Sequence, residues 1–138
     1  MTRIFWDTHL FLYLFEGGPS ANDVKRLRER MQARGDKLFT SSVTMGEILV
    51  RPVAAGGGVA DVYETAIARA ATLLPFDAAA ARPYAALRAD TAMAASDAMQ
   101  LSCAAAAGID MFITNDDRLS GKVVQGVKFI TSLSRAFV

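Results

Sequence analysis

Cysteine and histidine are all but missing from this chain: among 138 residues, Cys103 is the only cysteine and His9 the only histidine. A single cysteine excludes an intrachain disulfide, a cysteine zinc site and CxxC redox chemistry, and it suits a reducing cytosol. A single histidine excludes chemistry that needs one imidazole as base and a second as acid. No apolar run approaches the roughly 20 residues of a membrane span. No charged stretch leads into an apolar segment with a cleavage site, so no secretory signal is expected and the expected location is cytoplasmic. The formal net charge is only +1, short of the positive balance of a protein that binds nucleic acid by electrostatics alone. Gly56-Gly57-Gly58 lacks the Lys-Ser/Thr that completes a phosphate loop, so nothing supports nucleoside triphosphate binding.

What is present is a globular composition, 52% hydrophobic and 21% charged. The length suits one domain over 1–138, and no linker or shift of composition marks a second. Short β-type runs stand at Arg3–Trp6, Lys37–Thr40, Thr72–Leu74, Met111–Thr114 and Val127–Ile130. Helical patterns separate them: His9–Phe15, Ala21–Arg34, a helix from Thr44 that breaks near Pro52, Val59–Ala71, and one capped by Asp77 that runs to about Asp90. Strands alternating with helices predict an α/β fold, a three-layer α/β/α domain with a short parallel sheet of four to five strands.

The stretch Ser96–Asp117 is the most informative. Ser96 reads as an N-cap and Asp97 as a first-turn acid, the alanine-rich run to Ala107 as helix, and Gly108 as its left-handed stop. Met111–Thr114 then reads as a buried strand ending in Asn115-Asp116-Asp117. The helix runs antiparallel to the strand, so Asp97 and Asp116 are expected at one sheet edge, where open α/β sheets place ligands. Asp7, closing the first strand, and Glu47, in the first turn of the helix after the second, are expected at the same edge.

Each acid alone has a plain structural reading. Asp7 can cap the next helix, and Glu47 can close a capping box with Thr44. Asp97 can serve the helix dipole, and Asp116 can form an Asx turn. Those readings leave the convergence of four acids unexplained. Clustered carboxylates call for a cation, and an all-oxygen donor set suits Mg2+ or Mn2+.

Asp7-Thr8, Glu47, Asp97-Ala98 opening an alanine-rich helix, and Thr114-Asn115-Asp116 together resemble the PIN-domain nucleases, above all the VapC toxins of bacterial toxin–antitoxin pairs. The resemblance spans essentially the whole chain and lies in order and spacing rather than in one motif. It implies a magnesium-dependent endoribonuclease, with Asp7 and Asp97 as central metal ligands, Glu47 and Asp116 as supporting acids, and Thr8 and Thr114 as polar neighbours. It also implies inhibition by a small VapB-like antitoxin and a homodimer. Asp117 is a second acid that could face the metal, with Asp116 preferred because it directly follows Thr114-Asn115. The expected chemistry is hydrolysis by an activated water, leaving 5′-phosphate and 3′-hydroxyl ends. Alternatives are a non-toxin nuclease of the same kind, a phosphatase, or a non-catalytic RNA-binding module. The phosphatase is weakened because Asp7-Thr8-His9 lacks a second aspartate two residues on.

Around these acids, Arg118 is the cation best placed for a phosphate, while His9 reads as an incidental helix-face residue. Lys25, Arg26, Arg28, Arg30 and Arg34 read as a solvated face, with an RNA backbone as the alternative partner. Phe11, Tyr13 and Phe15 are too close for one helix to turn all inward, so core packing should take most of them and a protein partner the rest. Cys103 reads as a small core residue.

Overall fold

Alternating side chains in the central strands divide the molecule into layers. In the computed structural model, which describes residues 2–90 and 92–136 (residue 90 by its backbone alone), the first strand is β1 (Arg3–Trp6). Its Ile4 and Trp6 enter one buried cluster and its Phe5 the other, as the period of two requires. The chain continues through α1 (Thr8–Glu16), α2 (Ala21–Arg34), β2 (Lys37–Ser41), α3 (Ser42–Ala55), α4 (Val59–Ala70) and β3 (Thr72–Leu74). It then runs through α5 (Ala78–Asp90), α6 (Ala95–Ala106), β4 (Met111–Thr114) and β5 (Phe129–Ser132), and a 3-10 turn at Leu133–Arg135 ends the described chain. Helices α1 to α4 cover the Ile4–Trp6 face, and α6 with the β4–β5 connection covers the Phe5 face, giving an α/β/α arrangement.

The sheet is parallel throughout, in the order β3-β2-β1-β4-β5. The chain builds outward from β1 to β3, then returns to the other side of β1. The reversal opens a crevice at the C-terminal ends of β1 and β4, the switch point where such sheets bind ligands. Asp7 leaves β1 at this point, its N–H donating to the Ile113 carbonyl of β4 at 3.1 Å.

Helix α6 is buried over a wide arc that includes Ala98, Leu101, Cys103 and Ala104, because small side chains let it lie close to its neighbours. Gly108, at φ +66°, ends it as expected: its N–H reaches Ala105 O at 3.2 Å and that of Ile109 reaches Ala104 O at 3.1 Å. Burial pushes the Cys103 thiol up to about 11, which leaves it an inert core group. Of the close-set aromatics, Phe11 is buried, Phe15 stacks on Tyr63 with centroids 4.6 Å apart, and Tyr13 accepts a hydrogen bond from Asn115. On α2, Arg26 pairs with Asp23, and Arg34 pairs with Asp36 just past the helix.

Four expectations need correction. Helix α3 does not break near Pro52 but continues to Ala55, its last turn closing when Gly56 N–H donates to Pro52 O at 3.1 Å. The same helix begins at Ser42, with the Ser41 hydroxyl accepting from Thr44 N–H. Glu47 therefore lies in the second turn and no Thr44–Glu47 capping box exists. Helix α6 begins at Ala95 behind an Ala94 cap, which places Ser96 inside the first turn rather than at the N-cap. The last strand is Phe129–Ser132 rather than Val127–Ile130, because a tight turn through Gly126 bridges Val127 to Val124 before pairing with β4 starts.

Two glycines should answer oppositely to alanine. Gly126 has φ +94°, and a Cβ there would lie 2.9 Å from Ala105 O, so Gly126→Ala should destabilise by about 2 kcal/mol or more. Gly46 is a helix-interior glycine with open space around it, so Gly46→Ala should stabilise by roughly 0.5–1 kcal/mol. Denaturant melts of the two variants check both signs.

Candidate active site

The switch-point crevice is a cavity of about 330 Å³ lined by Asp7, Thr8, His9, Glu47, Ser96, Asp97, Gln100, Asp116 and Arg118, with Ala94, Phe112 and Leu119. All four expected acids meet there, each from a different segment. Thr8 is at the wall, and Thr114 sits buried behind it. Asp117 is exposed and does not line the cavity, which leaves Asp116 as the acid from the β4 end. A larger cavity of about 670 Å³, between α5, α6 and the β4–β5 connection, is lined by apolar groups, Arg82 and Gln125, and contains no carboxylate.

Asp7 is 7% exposed and combines two tasks. Its Oδ1 caps α1 by accepting from His9 N–H at 3.1 Å, so the capping reading holds, and its Oδ2 accepts the Thr114 hydroxyl. Burial nevertheless pushes its carboxyl above the ordinary value, against the opposing pull of Thr114 and His9. Asp97 is raised by burial and then by the negative charges of Asp116 and Glu47, and it makes no hydrogen bond among the described residues. Asp116 is held below the ordinary range by Arg118, whose Nε and Nη2 reach its two oxygens at 3.1 and 2.7 Å. Its N–H donates to Thr114 Oγ1 at 3.0 Å, so one threonine ties Asp7 to Asp116. Glu47 Oε1 accepts from Thr8 Oγ1 at 2.8 Å and from Gln100 Nε2 at 3.1 Å.

His9, read from the sequence as an incidental helix-face residue, is exposed and lines the cavity beside Asp7 and Thr8. Gln100 escaped the reading of the sequence altogether. Its signal was its spacing, three residues after Asp97 and so on the same helix face, as a polar residue on an otherwise small and apolar buried surface.

The donor set is all oxygen, with Asp7 buried, Asp97 and Asp116 half-buried and Glu47 exposed, a composition of the kind that suits a hard divalent cation. As the side chains stand, no three acidic, histidine or cysteine groups among the described residues close around a single point. Thr114 holds Asp7, Arg118 holds Asp116, and Thr8 with Gln100 holds Glu47.

The PIN-domain family model matches residues 4–123. This chain belongs to the PIN-domain family. No curated protein sequence matches it. Among solved structures, the PIN fold here is similar to a chain of VapBC2 from Rickettsia felis bound to promoter DNA. That match has TM-score 0.76 at 15% identity and covers 95% of this chain and 98% of that one. It is also similar to a chain of DNA-bound VapBC from Salmonella typhimurium, with TM-score 0.67 at 20% identity over 96% and 99%. A third is VapBC-5 from Mycobacterium tuberculosis, a toxin–antitoxin system, with TM-score 0.60 at 22% identity over 96% and 99%. No helix among the described residues of this PIN domain is long and apolar enough to cross a membrane.

Asp7→Asn should stabilise the metal-free protein at pH 7 by on the order of 1 kcal/mol, since asparagine caps as well and carries no buried charge. The Asp7 carboxyl is raised in the folded state, so its ionisation opposes folding as pH rises above the ordinary 3.8, and the variant's advantage should fade below that pH. Thermal melts between pH 3 and 8 test this. Added Mg2+ should raise the wild-type midpoint and leave Asp7→Asn nearly unmoved.

Proposed function

We propose that this PIN-domain protein is a divalent-metal endoribonuclease and the toxin half of a toxin–antitoxin pair. The observation that carries the reading is the meeting of Asp7, Glu47, Asp97 and Asp116, from four segments, in one cavity at the sheet's switch point. Asp7 and Asp97 would hold Mg2+ or Mn2+, with Asp116 and Glu47 completing the negative wall. A bound ion of this class supplies a more acidic water and neutralises charge on a phosphodiester.

The chain's own groups account for the rest. The Thr114 hydroxyl fixes the Asp7 carboxylate, and Thr8 fixes Glu47. Arg118, exposed at the cavity mouth, is placed to meet a substrate phosphate once it parts from Asp116. His9 offers an aromatic face on the same wall, of the kind on which unpaired RNA bases stack. One histidine excludes a paired-histidine mechanism, and attack by a water activated at the metal site would leave 5′-phosphate and 3′-hydroxyl ends.

The similar structures are toxin–antitoxin complexes, which supports a small VapB-like antitoxin as partner here. Val50 and Val53 of α3 and Val62 of α4 are each 65% exposed, an apolar surface suited to a protein partner, the antitoxin or the second copy of a homodimer.

Purified protein incubated with total RNA and Mg2+ should make discrete cuts bearing 5′-phosphates. EDTA should abolish them, and Asp97→Asn should slow them by more than about a hundredfold. Ends carrying 2′,3′-cyclic phosphate would contradict the mechanism. Turnover of a small phosphate ester in place of RNA would favour a phosphatase.

A further inference from the structure

Gln100 is 6% exposed and lies in the middle of a hydrogen-bonded chain that has only one consistent direction. The Ser41 hydroxyl oxygen accepts Thr44 N–H at 3.1 Å, so its own proton goes to Gln100 Oε1 at 3.3 Å. The Thr44 hydroxyl donates to the same oxygen. The amide nitrogen is thereby turned the other way, donating to Thr8 Oγ1 at 2.9 Å and to Glu47 Oε1 at 3.1 Å. The Thr8 proton in turn goes to Glu47 Oε1 at 2.8 Å. A flipped amide would set its carbonyl against the Glu47 carboxylate and its NH2 against two hydroxyl donors. Every capacity of the amide is used, and two donors converge on Oε1, while Oε2 of Glu47 has no hydrogen bond among the described residues. The chain also links the segments that carry three of the acids: Thr8 follows Asp7, Gln100 lies one turn beyond Asp97, and Ser41 and Thr44 open the helix of Glu47.

We propose that Gln100 is a positioning residue: its amide, oriented by Ser41 and Thr44, fixes the Glu47 carboxylate and the Thr8 hydroxyl so that Glu47 offers Oε2 to the cation. The part concerning the cation rests on the reading of this cavity as a divalent-metal site. Packing alone does not require the amide, since methionine would fill much the same volume.

The test uses the full chain with Gln100→Met and, as a milder perturbation that keeps the amide, Thr44→Val. Crystal structures report the Glu47 side chain directly, and Mn2+ titration reports affinity without reference to turnover. The expected result is a Glu47 carboxylate that leaves its wild-type position in both variants. Mn2+ affinity should fall roughly tenfold to a hundredfold in Gln100→Met, the range for groups that orient a ligand. Adding Gln100→Met to Glu47→Gln should weaken Mn2+ binding no further. If Gln100→Met fails to fold, Thr44→Val carries the test alone. A Glu47 carboxylate that stays in place overturns the inference, as does an equal loss of affinity when Glu47→Gln is already present. Displacement of Glu47 with unchanged Mn2+ affinity in every variant, Glu47→Gln included, would uphold the positioning and instead overturn the ion-binding role of Glu47.

Discussion

Four carboxylates confined to one crevice repel one another, and much of the local structure is arranged around that repulsion. The parallel sheet creates the problem. Its order β3-β2-β1-β4-β5 places the reversal of winding beside β1, and the ends of β1 and β4 bring Asp7 and Asp116 there. Helix α6 begins at the same edge and adds Asp97 from its first turn, and α3 adds Glu47. Asp7 and Asp97 pay for this with carboxyls raised by burial, and at Asp97 also by the neighbouring negative charges. Carboxyls perturbed by burial in a crevice mark a candidate functional site, in keeping with the function proposed here.

The protein meets the repulsion with neutral donors and one cation. Thr114, Thr8 and Gln100 each spend hydrogen bonds on an acid, and Arg118 engages both oxygens of Asp116. Hydroxyl and amide donors hold a carboxylate in place without cancelling its charge, which is compatible with the proposed metal role of Asp7 and Glu47. Arg118 differs in kind, since it competes for the same oxygens that a metal would take. The crevice thus has a rigid part, behind Asp7 and Glu47, and an exchangeable part at Asp116.

Much of this was legible in the sequence. Strand positions were set by short apolar runs and turn residues, and the parallel sheet by their alternation with helices. The four acids followed from their places at element ends. What was lost was local geometry. Ser96 looked like the better cap, but α6 starts two residues earlier than that cap would place it, behind Ala94, which offers no side-chain bond. Pro52 looked like a break, but one missing donor did not end a helix with another turn to add. Gln100 was overlooked, and His9 read as an incidental helix-face residue, because nothing in their local sequence marks them. Their importance comes from which face of a helix meets the crevice, and that depends on packing between elements distant in sequence.

The central claim is that these acids gather a divalent ion. Anomalous diffraction from crystals soaked in Mn2+ tests it most directly. The expected result is a manganese peak in the crevice, in contact with Asp7 and Asp97 directly or through water, and absent from crystals of Asp97→Asn. A crevice without manganese in crystals of a protein that still cuts RNA in EDTA would contradict the account.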